Sequence, residues 1–212
     1  MDKNERQIEA RQPSRLAASK SLRAVREDAA SCRACPLWKT GTQTVFGTGD
    51  ANAKVKLVGE QPGDEEDLRG EPFVGPAGRL LNRALEDAGV DRARVYVTNA
   101  VKHFKWEPRG KRRLHKTPAQ REIDACHQWL EREVELVKPE IIVCLGGTAV
   151  KAVLGPKVKV LVNRGKWLAS PLGARALVTV HPSSVLRAPA ETRELAYQAL
   201  VNDLKVIKQA MP

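Results

Sequence analysis

Residues 54–64 read KVKLVGEQPGD, a short β-rich run from Lys54 to Val58 that stops at Gly59 and gives way to turn-forming and acidic residues. Short apolar runs closed by glycine or proline are strand signals. Three more lie downstream: Val95 to Thr98 ending at Asn99, Ile141 to Leu145 at Gly146-Gly147, and Leu177 to Val180 at His181-Pro182. Helical patterns separate them. Leu80, Leu81, Ala84, Leu85 and Ala88 share one helical face, with Gly89 as the stop. Thr117-Pro118-Ala119-Gln120 reads as a capping box with proline at the first helical position, and its helix ends before Pro139. Thr148 to Leu154 is a short helix and Glu191 to Gln209 a long terminal one. Strands alternating with helices call for a parallel sheet with right-handed crossovers and helices on both faces.

The whole chain has 212 residues, which is one domain or one and a half at about 150 residues per domain. It is 42% hydrophobic and 29% charged, enough apolar material for a core. Lys and Arg number 36 against 25 Asp and Glu, and the net charge of +11 points to a polyanionic partner. No apolar run approaches the roughly 20 residues that span a bilayer. Asp2, Glu5 and Glu9 near the start, with no apolar stretch after them, argue against a secretory signal or transit peptide. The expectation is a soluble cytoplasmic protein, nucleoid-associated in a bacterium, monomeric and with no membrane contact. Residues 1–30 read as a charged, partly helical extension, its helix running from Arg15 to Ala30, and residues 31–212 as the main domain.

Cys32, Cys35, Cys126 and Cys144 are too few and too scattered for a disulfide framework. The Cys32–Cys35 pair, followed by Pro36, suits zinc, a redox pair or an iron–sulfur cluster. Two loop thiols and two core thiols would suit the same spacing, since free cysteine is commonly buried.

The unusual residues gather behind the four strands. Glu60, Gln61, Gly63 and Asp64 follow the first, Asn99 the second, Gly146-Gly147-Thr148 the third, and His181, Ser183 and Ser184 the fourth. Ligands of open α/β sheets bind beyond the carboxyl ends of the strands, so these loops describe a site. Phe73, in the glycine-rich stretch GEPFVGPAGR at 70–79, is placed to stack on a base or to cap the core. Residues 102–116, KHFKWEPRGKRRLHK, hold seven Lys or Arg and one acid. Phe104 and Trp106 interleave with those cations, and the segment reads as a nucleic-acid-binding loop. His115 closes its Lys111-Arg112-Arg113-Leu114 run, where neighbouring cations would favour a neutral, nucleophilic imidazole. Glu60 and the acidic residues Asp64 to Asp67 after it read either as a solvated turn or as a place where one or two carboxylates stabilise an oxocarbenium ion in glycosidic cleavage.

Together these residues resemble the uracil-DNA glycosylase superfamily, its iron–sulfur branch and within it the UdgX type. GEQPGDEED at 59–67, GEPFVGPAG at 70–78, VTNAVKHF at 97–104, KRRLH at 111–115 and HPSS at 181–184 stand in the family's order, over essentially all of residues 30–205. The resemblance implies a three-layer αβα fold with a central four-stranded parallel sheet. It implies a structural 4Fe-4S cluster on Cys32, Cys35, Cys126 and Cys144. Uracil would be flipped from the DNA, preferentially single-stranded, into a pocket formed by Gln61, Gly63, Asp64, Phe73 and Asn99. Asn99 would read the Watson–Crick edge, and His181 would stabilise the departing uracilate. His115 would then attack the sugar, with Glu60 orienting it or taking its proton, leaving a covalent single-turnover adduct. Lys102, Lys111, Arg112, Arg113, Ser183 and Ser184 would contact the DNA. Leu114 stands where the type has isoleucine, a mild apolar exchange. The rival readings are a conventional turnover glycosylase using water and a non-enzymatic nucleic-acid-binding protein with a structural metal.

Overall fold

The computed structural model describes residues 21–210. Helix α1 (Leu22–Ala30) is capped by Ser21, whose hydroxyl accepts the Ala24 N–H. The part of the expected helix before residue 21 lies outside the described residues. Strand β1 (Val55–Gly59) leads through Glu60 to α2 (Asp64–Arg69), which Gly70 ends in the left-handed region at φ 75°. Then come α3 (Pro76–Asp87), β2 (Val95–Asn99) and a hairpin of β3 (Trp106–Arg109) and β4 (Arg112–His115). The remainder is α4 (Gln120–Val137), β5 (Ile141–Leu145), α5 (Gly147–Leu154), α6 (Val160–Asn163), β6 (Trp167–Ala169), β7 (Arg175–Thr179), α7 (Pro182–Leu186) and α8 (Ala190–Ala210).

The main sheet runs in the order β2-β1-β5-β7-β6. Its first four strands are parallel and are the four expected from the sequence; β6 is antiparallel to β7 and makes a fifth. Three residues, Trp167-Leu168-Ala169, are too short to show alternation, and only the ladder to β7 identifies them as strand. Parallel strands covered on both faces are apolar throughout, and every residue of β1, β2 and β5 is buried. Val58, Ile142, Cys144, Ala176 and Val178 face α1, α4 and α5. Val55, Leu57, Val97, Val143 and Leu177 face α3 and α8. Val25 and Ala29 of α1 are fully buried in the first of these layers, so that helix belongs to the domain core.

Helix α4 begins two residues later than expected, with its cap at Ala119 and not Thr117. Glu122 Oε2 accepts the Ala119 N–H at 2.7 Å, which fixes Ala119 as the cap and leaves Pro118 ahead of the helix. Residues 106–115, expected as a basic loop, form the β3–β4 hairpin instead, turning at Gly110 with φ 58°. No helix among the described residues is long and apolar enough to cross a membrane.

Candidate active site

A cavity of about 820 Å³ opens beyond the carboxyl ends of the parallel strands, and Glu60, Asn99, Gly146 and His181 all line it. One residue from behind each strand therefore reaches one space, as the topology requires.

Glu60 sits at the centre. Its Oε1 lies 3.1 Å from His115 Nε2, and its Oε2 accepts a 2.5 Å hydrogen bond from Thr148 Oγ1 at the start of α5. Burial alone would raise this carboxyl. The hydrogen bonds from His115 and Thr148, with the charges of His115 and His181, outweigh burial and hold it below the usual carboxylate range. The charged group in contact with the His115 ring is thus a carboxylate, where the sequence led us to expect cations. Arg113 is turned the other way: Nε bonds Asp64 Oδ1 and Nη1 bonds Asp67 Oδ2, both at 2.6 Å.

His181 caps α7, its Nδ1 accepting the Ser183 N–H at 3.2 Å. Burial pushes this imidazole down to about 4, with Arg187 and His115 adding to the shift and Glu60 opposing it. The ring is therefore neutral at pH 7, and with Nδ1 accepting, Nε2 carries the proton. Phe73 faces it, ring centroids 6.3 Å apart and tilted by 27°. Phe73 holds φ 59°, a strained backbone position for a bulky residue and one that clusters at functional sites. Asn99 is 2% exposed, and its side-chain amide makes no hydrogen bond to any described residue. A buried amide with free donors and acceptor, opening on a cavity, is suited to a polar ligand edge. Gly59 makes this packing possible: a Cβ there would strike Asn99 Oδ1 and come within 2.6 Å of Phe73 Cζ.

Several expected roles change. Lys102 does not reach solvent. It is 1% exposed, and its ammonium bonds Glu133 Oε2 (2.8 Å), Thr98 Oγ1 (2.6 Å) and the Asn99 carbonyl (2.8 Å), so it cannot meet a phosphate. Phe104 is also buried, and the indole N–H of Trp106 bonds the Thr40 carbonyl; these rings anchor the hairpin and do not present a face for bases. Asp64 lies outside the cavity and holds Arg113. Gln61 lines the cavity, but its side-chain amide is spent on the hairpin, donating to the carbonyls of Lys105 and Lys116 and accepting from Lys105 N–H. Lys111 and Arg112 remain exposed at the hairpin tip. Ser183 and Ser184 line the cavity rim while bonding His181. Two contributors were given no individual role in the sequence: Thr148, named only within the third strand-end loop, and Glu66, part of the acidic run, which lines the cavity and joins the loops by accepting from Gly63 N–H (3.0 Å) and Gly75 N–H (2.6 Å). The run of glycines around an acidic helix start was the available signal for Glu66.

Three of the four cysteines are electrostatic neighbours. Burial raises the Cys126 thiol to about 12, with Cys32 and Cys35 adding to the shift, and burial followed by the Cys32 charge raises Cys35. Cys126 Sγ accepts the Lys102 N–H and Cys32 Sγ the Trp129 indole N–H, both at 3.2 Å. Hydrogen bonds to sulfur of this kind suit iron–sulfur ligands. Cys144, on β5, is raised to about 12 by burial alone. All four thiols border one core layer: Cys126 and Cys144 are buried in it, and Cys32 and Cys35 pack against it. No group of three or more His, Cys, Asp or Glu among the described residues is close enough for a single metal ion, although the thiolates of a cubane cluster stand farther apart than the ligands of one ion. On the same side lies buried His103, whose Nε2 is 3.1 Å from Thr44 Oγ1; that hydroxyl bonds the Ala29 carbonyl, which also accepts the Cys32 N–H.

The family model described as "Uracil DNA glycosylase superfamily" matches residues 46–205, a span that holds every cavity residue above. The chain belongs to this superfamily. It is 40% identical over 167 residues to the type-4 uracil-DNA glycosylase of Thermotoga maritima, covering 77% of this chain and 82% of that protein. It is 32% identical over 200 residues to the type-4 enzyme of Saccharolobus solfataricus, covering 90% and 87% respectively. Within the superfamily fold, the hairpin brings His115 into contact with Glu60.

Proposed function

We propose that the protein excises uracil from DNA and that His115 then captures the sugar. A uracil swung out of the strand enters the cavity between Phe73 and His181. The Asn99 amide donates to uracil O4 and accepts from N3–H; cytosine reverses that pattern and would leave a buried amide unpaired. As the C1′–N1 bond breaks, its electron pair leaves with uracil, and His181 Nε2–H donates to the uracilate oxygen. The Glu60 carboxylate, ionised at neutral pH, faces the developing oxocarbenium ion. His115 gives its Nε2–H to Glu60, so the opposite ring nitrogen keeps its lone pair and closes a new bond to C1′. The positive charge that results on the imidazole is offset by Glu60.

The observation carrying this reading is the 3.1 Å contact of Glu60 with a histidine on a clamped hairpin at the cavity wall. Incubation with a uracil-containing oligonucleotide, followed by a denaturing gel, tests it. A band that survives heat and detergent, requires uracil and disappears in His115→Ala is expected. Multiple turnovers without an adduct would mean that Glu60 activates water, as in the rival reading of a conventional turnover glycosylase.

We also propose that Cys32, Cys35, Cys126 and Cys144 hold an iron–sulfur cluster with a structural role. A cluster there would tie α1 and its following loop to α4, and its binding energy would be part of the folding energy.

A further inference from the structure

Lys102 is a buried ammonium that has no part in the excision steps above. Each of its three ammonium protons has an acceptor: Thr98 Oγ1, Glu133 Oε2 and the Asn99 carbonyl. Charge balance does not account for it. Lys56 is also fully buried, and its Nζ lies 3.6 Å from the same Glu133 oxygen without a hydrogen bond of its own. Burial lowers Lys56 to about 7, with Glu133 opposing the shift and Lys102 adding to it. One carboxylate thus has two counter-ions at hand, and taking a second ammonium out of water is costly. What Lys102 does and Lys56 does not is bind the backbone of Asn99.

Asn99 depends on that backbone. Its side-chain amide has no hydrogen-bond partner among the described residues, so its direction follows from the main chain and from packing beside Gly59. The turn that follows is fastened on every side. Ala100 N–H donates to the Gly59 carbonyl (2.9 Å) and Val101 N–H to the Glu60 carbonyl (3.0 Å). Lys102 N–H donates to Cys126 Sγ on α4 (3.2 Å), and its ammonium reaches back to the Asn99 carbonyl (2.8 Å). This last bond holds the peptide plane directly after Asn99, and with it the aim of the side chain. A recognition group needs such support to keep its geometry.

We propose that Lys102 is a positioning residue for uracil recognition: by holding the Asn99 carbonyl it aims the Asn99 amide at the base edge. Lys102 touches neither DNA nor uracil and acts only through Asn99. The proposal rests on the uracil-excision reading above.

The test sets Lys102→Met beside Lys56→Met. Each removes one ammonium from Glu133 and leaves the other, so the two variants are matched in charge. Single-turnover release of uracil from an oligonucleotide, bound iron and affinity for uracil-free DNA are measured for both, at a temperature where both are folded by circular dichroism. In Lys102→Met the maximal release rate should fall about 10- to 100-fold, the scale of a slightly misplaced group. Its iron content and its affinity for uracil-free DNA should stay native, because the bond to Cys126 comes from the backbone and phosphate contacts set that affinity. Lys56→Met should release uracil at the native rate. Equal rates in the two variants overturn the positioning role, as does a rate loss in Lys102→Met that comes with loss of iron. If Lys102→Met does not fold, Lys102→Met/Glu133→Gln against Glu133→Gln alone repeats the comparison with the carboxylate neutralised. The double variant should then be slower by the same factor, and equal rates overturn the proposal. A native chain that neither releases uracil nor forms an adduct would instead remove the excision reading itself, which keeps the two failures distinct.

Discussion

Glu60 and Glu133 are both carboxylates held below the ordinary range by partners that outweigh desolvation, yet they sit in opposite kinds of place, Glu60 partly exposed and Glu133 fully buried. Glu133, on α4, is wholly enclosed. It receives the Gly47 N–H, the Tyr96 and Thr98 hydroxyls and the Lys102 ammonium, with Lys56 Nζ at 3.6 Å. Oε1 accepts three hydrogen bonds and Oε2 one, with the second ammonium beside it, and no part of the carboxylate is open to a ligand. Glu60 has two partners, one of them a half-exposed histidine at the wall of a cavity. A saturated carboxylate organises structure; one that is ionised and still open on a pocket has capacity left for chemistry.

This contrast is sharpest in a pair of isosteric substitutions. Glu60→Gln should lower the rate of adduct formation by about 100-fold or more while leaving the melting temperature close to that of the native chain. Glu133→Gln should do the reverse, costing about 3–5 kcal/mol because two buried lysines lose their counter-charge. Urea unfolding and a timed denaturing gel would separate the two. Equal stability losses would erase the distinction.

The thiols extend the same comparison. Cys126→Ser and Cys144→Ser should each lose bound iron and cooperative folding together. Iron assay of protein prepared anaerobically checks this. Native iron content in either variant would remove that residue from the ligand set.

Acid should weaken the fold through the cavity side. The unfolded chain protonates His181 near 6.5, while the native ring holds out to about 4. Between those values the unfolded state binds more protons, so stability falls with falling pH, by up to about 3 kcal/mol from this group. Glu60, held low, adds its own loss below the ordinary carboxylate range. His181→Gln should flatten the first part of the decline, measured by urea unfolding across that window.

The smallest effects belong to the hairpin tip. Lys111→Ala and Arg112→Ala should each weaken binding to uracil-free DNA two- to threefold and lower the salt slope by about one. Lys102→Ala belongs with Glu133: its loss should show in stability, because its charge never reaches solvent.

The parallel core was legible because strands buried on both faces need continuous apolar runs, and β1, β2, β5 and β7 carry them. The cavity residues Glu60, Asn99, Phe73 and His181 were legible because topology gathers loops at strand ends. The hairpin was not. Its residues are mostly cationic, Pro108 argues against a strand, and its order comes from distant partners: Gln61, Asp64, Asp67 and the Thr40 carbonyl.

Local pattern and order along the chain thus determined the α/β architecture, the polyanion-seeking charge and the family motifs, since periodicity, composition and spacing are properties of neighbours in sequence. Which cations are free and which are internal, which thiols meet, and which group touches His115 were decided by the tertiary structure alone. Each depends on side chains tens of residues apart, and on whether burial removes the water that would otherwise solvate them. Lys102 and Lys111 lie nine positions apart in one basic run; only packing made the first a buried strut and left the second exposed.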